Sequence, residues 1–151
     1  MKIASLNIKN FRNYESLKVD FDDKVNVFIG KNAQGKTNLL ESIFYCCIGK
    51  SFKSCKDKEL IKWNEESAQI KLTCQKKYRD IDIEINLNKN QKKSIKINNK
   101  KKKKIGDLIG EINIVFFSPQ ELRLVRESPD ERRKFMDIDI SQNNKRYFYQ
   151  L

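Results

Sequence analysis

The chain has 151 residues, 38% hydrophobic and 34% charged, with a formal net charge of +12. That is the length of one domain with enough apolar content for a core, and no stretch approaches the ~18 apolar residues of a membrane-spanning helix. There is no histidine, the four cysteines lack C-x-x-C spacing, and residues 1–7 lack a signal peptide's apolar run; these features argue against zinc sites, disulfide frameworks and secretion, so a cytoplasmic protein with reduced cysteines is expected.

Alternation opens the chain. Ala4, Leu6 and Ile8 fall on one face of a first predicted strand, and Leu17, Val19 and Phe21 on one face of a second. Asn10-Phe11-Arg12-Asn13-Tyr14 connects them, and Asp22-Asp23-Lys24 turns the chain into Val25-Asn26-Val27-Phe28-Ile29, an apolar, β-branched run that predicts a buried strand.

Directly after it, Gly30-Lys31-Asn32-Ala33-Gln34-Gly35-Lys36-Thr37 fits G-x-x-x-x-G-K-[ST], the P-loop, at every fixed position. The glycines allow a tight turn that aims backbone N–H groups at a phosphate. Lys36 is placed to reach the β- and γ-phosphates, and the Thr37 hydroxyl is a natural Mg²⁺ ligand. Leu39, Leu40, Ile43, Phe44, Cys47 and Ile48 then recur at one-face helical spacing, which predicts a helix starting near Lys36. Strand, glycine loop and helix N-terminus together form the expected anion site. ATP with Mg²⁺ is the expected cofactor, held by residues Gly30, Lys31, Asn32, Ala33, Gln34, Gly35, Lys36, Thr37 and Asn38.

Past the helix, Gly49-Lys50-Ser51-Phe52-Lys53-Ser54 reads as a loop, and Asp57 to Trp63 as a short helix. Three alternating runs follow, Ala68/Ile70/Leu72/Cys74, Ile81/Ile83/Ile85/Leu87 and Ile95/Ile97, at hairpin-like spacing that predicts an antiparallel meander with one buried face. Asn98-Asn99 makes a further turn, since asparagine tolerates the left-handed conformation. Gly106 and Gly110 bracket a turn or short helix, and Ile112-Asn113-Ile114-Val115-Phe116-Phe117 predicts a second core strand. Ser118-Pro119-Gln120-Glu121 and Ser128-Pro129-Asp130-Glu131 are both S-x-x-E capping boxes with proline at the first helical position.

Charge is spread unevenly. Residues 49–104 carry 18 basic and 7 acidic side chains, whereas 1–48 carry 7 and 5, and 105–151 carry 7 and 8. Lys89 to Lys104 holds 9 lysines in 16 residues and no carboxylate, with Lys100, Lys101, Lys102, Lys103 and Lys104 consecutive. This cluster is either a solvated hairpin tip or an arm that contacts DNA phosphates. Lysine without interleaved aromatics suits backbone contact rather than base stacking.

Two pieces of an ATPase are absent. No run of four apolar residues ending in Asp follows residue 48, so the acidic Mg²⁺ partner of a Walker B strand is missing, and so is the Ser-Gly-Gly-Gln signature. Without them, residues 1–151 are expected to bind ATP without hydrolysing it efficiently by themselves.

The segment from Asn32 to Ile43 resembles the P-loop of ABC-type chromosome-maintenance ATPases, and within these the RecF family of bacterial recombination mediators. Phe117 to Arg126 and Ser128 to Asp137 resemble the same family independently. The resemblance implies the N-terminal lobe of a longer protein, spanning 1–151, with an α/β fold: a P-loop NTPase lobe of the ABC/SMC-head type, its mixed sheet extended by an antiparallel meander and followed by C-terminal helices. It places Arg12 near the nucleotide as a phosphate or adenine contact, where the residue alone reads as a solvated turn. It makes Gln120 and Ser118 candidates for sensing the γ-phosphate. It implies ATP-dependent binding to gapped or single-strand/double-strand DNA, recombination mediator proteins as partners, and an ATP-dependent homodimer in the intact protein.

Three rivals compete with this reading. An SMC/Rad50-type head fragment would be identified by a long heptad run, and none begins here. A small-molecule kinase or GTPase needs motifs such as N-K-x-D, which Asn88-Lys89-Asn90-Gln91 fails at its last position. A nucleotide-independent basic nucleic-acid-binding module would leave Lys36 without a role.

Overall fold

A computed structural model describes residues 1–53, 55–118 and 129–151. Strands β1 (Lys2–Phe11) and β2 (Tyr14–Asp20) form the opening hairpin, followed by helix α1 (Lys36–Ile48) and a 3-10 turn, Asp57–Leu60. β3 (Ser67–Gln75), β4 (Asp80–Asn88), β5 (Ser94–Ile97) and β6 (Lys100–Lys102) make the meander. A 3-10 turn at Ile105–Asp107 and helices α2 (Pro129–Asn143) and α3 (Lys145–Gln150) complete the described elements. All six strands lie in one sheet, order β2-β1-β3-β4-β5-β6, antiparallel at every pairing.

The alternation read from the sequence sets the register. Ile8 lies opposite Ile70, Ile70 opposite Ile85 and Ile85 opposite Ile95. Two residues along each strand, Leu6, Leu72, Ile83 and Ile97 form a parallel row on the same face. These rows are buried, each aliphatic side chain contributing on the order of 1.5–3 kcal/mol. They face α1, which touches β1, β3 and β4. The far side of α1 is covered too: Phe44 packs edge-on against Phe52 and Phe116, and Gly49 lies under Ile105 and Leu108. Every residue from Glu41 to Ile48 is therefore buried, while Leu40, expected on the apolar face, is 42% exposed. The helix is a core element rather than the one-sided surface helix its spacing suggested.

The α/β class holds, but two predicted core strands do not form. Residues 25–29 and 112–117 join no ladder among the described residues, and Val25, Val27, Ile29, Val115 and Phe117 are 73–92% exposed. Their alternate residues Phe28, Ile114 and Phe116 pack on the core. Each segment has one apolar face satisfied and no strand beside it. At Ile114 the Gln142 side chain stands in for a strand neighbour, accepting from the N–H at 2.7 Å and donating to the carbonyl at 3.2 Å. The predicted parallel contribution to a mixed sheet is thus absent among the described residues.

Helix α2 begins at Pro129, the position the second capping box assigns to it. The first box, apart from Ser118, and the cap residue Ser128 lie outside the described residues, as does Gln120. No described helix is long and apolar enough to cross a membrane.

The β5–β6 turn uses the predicted asparagines, with φ of 49° at Asn98 and 62° at Asn99. Asn98 also accepts the Asp82 N–H at 2.8 Å. Left-handed backbone costs residues with a Cβ about 1–2 kcal/mol, which asparagine offsets by local hydrogen bonding. Replacing both with alanine is expected to lower stability by about 2 kcal/mol or more in urea unfolding, whereas Asn99→Gly should be close to neutral.

Candidate functional site

The loop from Gly30 to Lys36 curls through left-handed backbone at Ala33 (φ 64°) and Gly35 (φ 103°), and Gly35 caps the N-terminus of α1. A side chain at Gly35 is blocked twice over. Its φ is unfavourable for L-residues, and a Cβ would sit 2.7–2.9 Å from the Asn13 amide and the Tyr14 hydroxyl. Such curled loops present a concavity of backbone N–H groups, and the helix N-terminus adds partial positive charge. Lys36 closes the loop, its Nζ donating to the carbonyls of Gly30 (2.6 Å) and Lys31 (2.7 Å). Thr37 is exposed in the first helical turn. The structure thus brings Gly30 to Asn38 together at one helix end, as the motif predicts.

The floor of the loop comes from the β1–β2 turn. The Asn13 amide donates to the Gln34 carbonyl at 3.2 Å and accepts from the Asn38 amide at 2.9 Å. Neither Asn13 nor Tyr14 was picked out from sequence, because only the fold brings the turn under Gly35.

Arg12 is positioned differently from the expectation. Its Nε and Nη2 make a two-pronged contact with Glu41 at 3.0 and 2.7 Å, Nη2 also reaches Cys55 Sγ at 3.0 Å, and Nη1 donates to the Glu59 carbonyl at 3.0 Å. These donors serve the interior instead of the loop's mouth. Arg12 thus stands beside Asn13 with its donors directed to Glu41, Cys55 and the Glu59 carbonyl.

Glu41 is the centre of that arrangement. It is fully buried on α1 and receives Arg12, Lys53 Nζ at 3.1 Å and Ser51 Oγ at 2.5 Å. Lys53 also donates to Asn38 Oδ1 at 2.9 Å, linking the network to the end of the loop. Burial pushes the Glu41 carboxyl up, but the hydrogen bonds from Arg12, Ser51 and Lys53 outweigh it and hold the group below its ordinary value of 4.5. A carboxylate inside an otherwise apolar helix was the visible signal, since a buried charge demands cations.

A second clamp holds the other end of α1. Lys93, from the β4–β5 connection, donates to the Gly49 carbonyl (2.5 Å) and the Tyr45 hydroxyl (3.0 Å) and pairs with Asp57 (3.0 Å). Burial and the hydrogen bond to Asp57 push the Tyr45 phenol well above its ordinary range, so it stays a donor to Asp57. Cys46, Cys47 and Cys74 are buried, with Cys47 pushed up to about 12 by burial, which suits packing rather than reactivity.

The lysine cluster is divided by the fold. Lys100, Lys101 and Lys102 form the edge strand β6, four strands from β1 and so about 19 Å from the P-loop side of the sheet. Lys101 lies opposite Lys96, while Lys100 and Lys102 lie opposite Ile97 and Ile95 and belong to the other face. Lys104 sits over the Tyr149 ring, 5.6 Å from its centre. The five residues form a strand edge and its end rather than one projecting arm.

A family model described as AAA domain matches residues 5–150. The chain belongs to the AAA domain family. Among AAA domains it is RecF-like along its whole length. It is 53% identical over all 151 residues to the DNA replication and repair protein RecF of Clostridium acetobutylicum, covering 42% of that protein. A solved structure of the recombination mediator protein RecF-ATP in the RecFOR pathway matches with a TM-score of 0.93 at 36% identity, over 98% of this chain and 40% of that one. An Smc head bound to the C-winged helix domain of ScpA matches with a TM-score of 0.71 at 19% identity, over 99% of this chain and 55% of that one, a likeness of fold alone. The chain spans about two fifths of the length of the RecF relatives it matches.

The Glu41 network of this AAA domain gives a pH-dependent expectation. Because the folded carboxyl lies below 4.5, the stability it contributes is complete above that value and is lost as pH falls through the folded one. Glu41→Gln should cost about 3 kcal/mol at neutral pH, the low end for an uncoupled buried pair, since Arg12 and Lys53 keep some solvent. Thermal midpoints of parent and variant should converge as pH drops below 4.5; a constant gap would remove Glu41 from the acid response.

Proposed function

We propose that this chain is the ATP-binding lobe of a RecF-type DNA repair and recombination ATPase. The observation that carries the reading is the P-loop geometry: left-handed Ala33 and Gly35, with Lys36 across the loop at the N-terminus of α1. The fit to ATP is chemical. Residues 30–38 offer backbone N–H groups and an ammonium to the phosphates, and Thr37 offers a hydroxyl to Mg²⁺. Arg12 acts indirectly, through Glu41 and the adjoining Asn13. Ser118 and Gln120 remain candidates for γ-phosphate sensing.

In this reading the chain is the N-terminal lobe of a longer cytoplasmic protein. Segments 25–29 and 112–117, which pack one face on the core and join no ladder among the described residues, are where further strands of that protein would add, carrying the acidic Mg²⁺ partner and the signature motif. The intact protein would then bind gapped or single-strand/double-strand DNA, dimerise on ATP and work with recombination mediator proteins, with Lys100 to Lys104 contributing to the DNA surface. Relatives named for DNA replication and repair, and a RecF structure solved with ATP, support it. The SMC/Rad50-type alternative has fold likeness but only 19% identity behind it.

Lys36→Ala is expected to weaken ATP binding at least tenfold by calorimetry, since charge-assisted contacts of this kind contribute roughly 1.5–3 kcal/mol. Equal affinity in the variant would overturn the nucleotide assignment and favour a basic module without nucleotide. The purified 151-residue chain should bind ATP yet turn it over near background in a phosphate-release assay. Robust Mg²⁺- and Lys36-dependent turnover would mean that an acidic partner lies within this chain.

A further inference from the structure

We propose that the outward face of the sheet is a track for the phosphodiester backbone of duplex DNA, running across the strands from β2 to β6; the inference rests on the DNA-binding reading above and locates its surface. The register builds it. Lys18, Asn7, Lys71, Glu84, Lys96 and Lys101 are successive cross-strand neighbours in one row spanning all six strands. Beside it runs a second row, Ser16, Lys9, Gln69, Asn86 and Ser94. The inward-facing neighbours of these residues form the apolar core, so alternation alone sends the lysines outward.

Charge and spacing both suit a polyanion. The two rows carry five lysines and one carboxylate, Glu84, which Lys96 holds at 2.9 Å and the Asn86 amide at 2.8 Å. Lys9, Lys18 and Lys101 make no ion pair among the described residues, while Lys71 lies opposite Glu84 and helps hold that carboxyl below its ordinary value. Lys96 and Lys101 lie directly opposite one another, a like-charge placement that destabilises a sheet unless an anion intervenes. At about 4.8 Å per strand, Lys18 to Lys101 spans about 24 Å, with lysines every 5 to 10 Å. Duplex DNA carries one charge per ~1.7 Å of axis, so each lysine can find a phosphate.

Chemistry argues for backbone contact. Neither row contains an aromatic, so bases have nothing to stack on. Asn7, Gln69 and Asn86 supply amides of the kind that hydrogen-bond phosphate and sugar oxygens. A polar groove of about 430 Å³, lined by Lys9, Gln69, Asn86, Gln91, Lys92 and Ser94, lies along the second row. On the other side the sign reverses, with Asp20, Ser5, Thr73 and Asp82 as the next row. Protection of an exposed sheet edge explains lysines on β6. It does not explain Lys71, in the interior strand β3.

The test is duplex binding by the purified 151-residue chain, read by fluorescence anisotropy of a labelled 20-base-pair oligonucleotide over a salt series. Lys18→Gln with Lys71→Gln removes two contacts far in sequence from residues 100–104. It should flatten the slope of log K against log salt by about 1.8, at ~0.9 per phosphate, with ATP affinity kept. Glu84→Gln should tighten binding about two- to fivefold, a gain that misfolding cannot produce. A parent that binds duplex while both variants keep its slope and affinity overturns the track and leaves the DNA reading intact. A parent that fails to bind duplex even at low salt overturns both.

Discussion

One buried carboxylate sets the constraint on which the nucleotide end of this domain depends. Glu41 sits fully inside the protein on α1, and a charge there is tolerable only with cations and hydroxyls in place. Those partners come from two separate stretches: Arg12 from the β1–β2 turn, and Ser51 and Lys53 from the loop after α1. Satisfying Glu41 therefore fixes the turn against the helix. Asn13, the next residue along, is thereby held under Gly35 and between Gln34 and Asn38. The P-loop is rigid at its base because a charge several residues away requires it to be.

The opposite end of α1 is fixed by a different device with the same logic. Lys93 donates to the carbonyl of Gly49, the residue that caps the C-terminus of α1, where the macrodipole favours a cation, and Asp57 balances its charge. Since Lys93 belongs to the β4–β5 connection, the meander and the nucleotide helix are tied by a polar contact as well as by apolar packing. Between the two clamps, buried cysteines and aromatics fill space and carry no reactive group.

Much of this was legible in the sequence, and the boundary between what was and was not has a physical cause. The P-loop, the start of α1, strands β1 to β5 and the Asn98-Asn99 turn follow from local periodicity and local backbone preference, whereas the β1–β3 pairing and strand β6 do not. The strands expected at 25–29 and 112–117 do not follow, because an apolar run states only that a segment wants burial on both faces. Whether it becomes a strand depends on a neighbour to pair with. The role of Arg12 was hidden for a related reason: its partner Glu41 lies 29 residues away, and neither residue alone specifies the pair. The lysine run at 100–104 looked like a single feature by composition. The pleat assigns alternate members to opposite faces, so charge density along the chain is not charge density in space.

The same pleat fixes how the P-loop helix and the basic rows are placed. Ile70 and Leu72 face inward onto the layer that buries α1, while Gln69 and Lys71 between them face outward. The nucleotide helix and the basic rows are thus opposite surfaces of one sheet, and neither can be altered by a shift of register without destroying the other. A slip of one residue in β3 would bury Lys71 and expose Leu72 together. Electrostatic influence through the sheet is weak at ordinary salt, because exposed charges about a Debye length apart are largely screened. A mechanical coupling between the faces would run through the packing of α1 on β1, β3 and β4 and through Lys93, which joins the meander to the carbonyl end of α1.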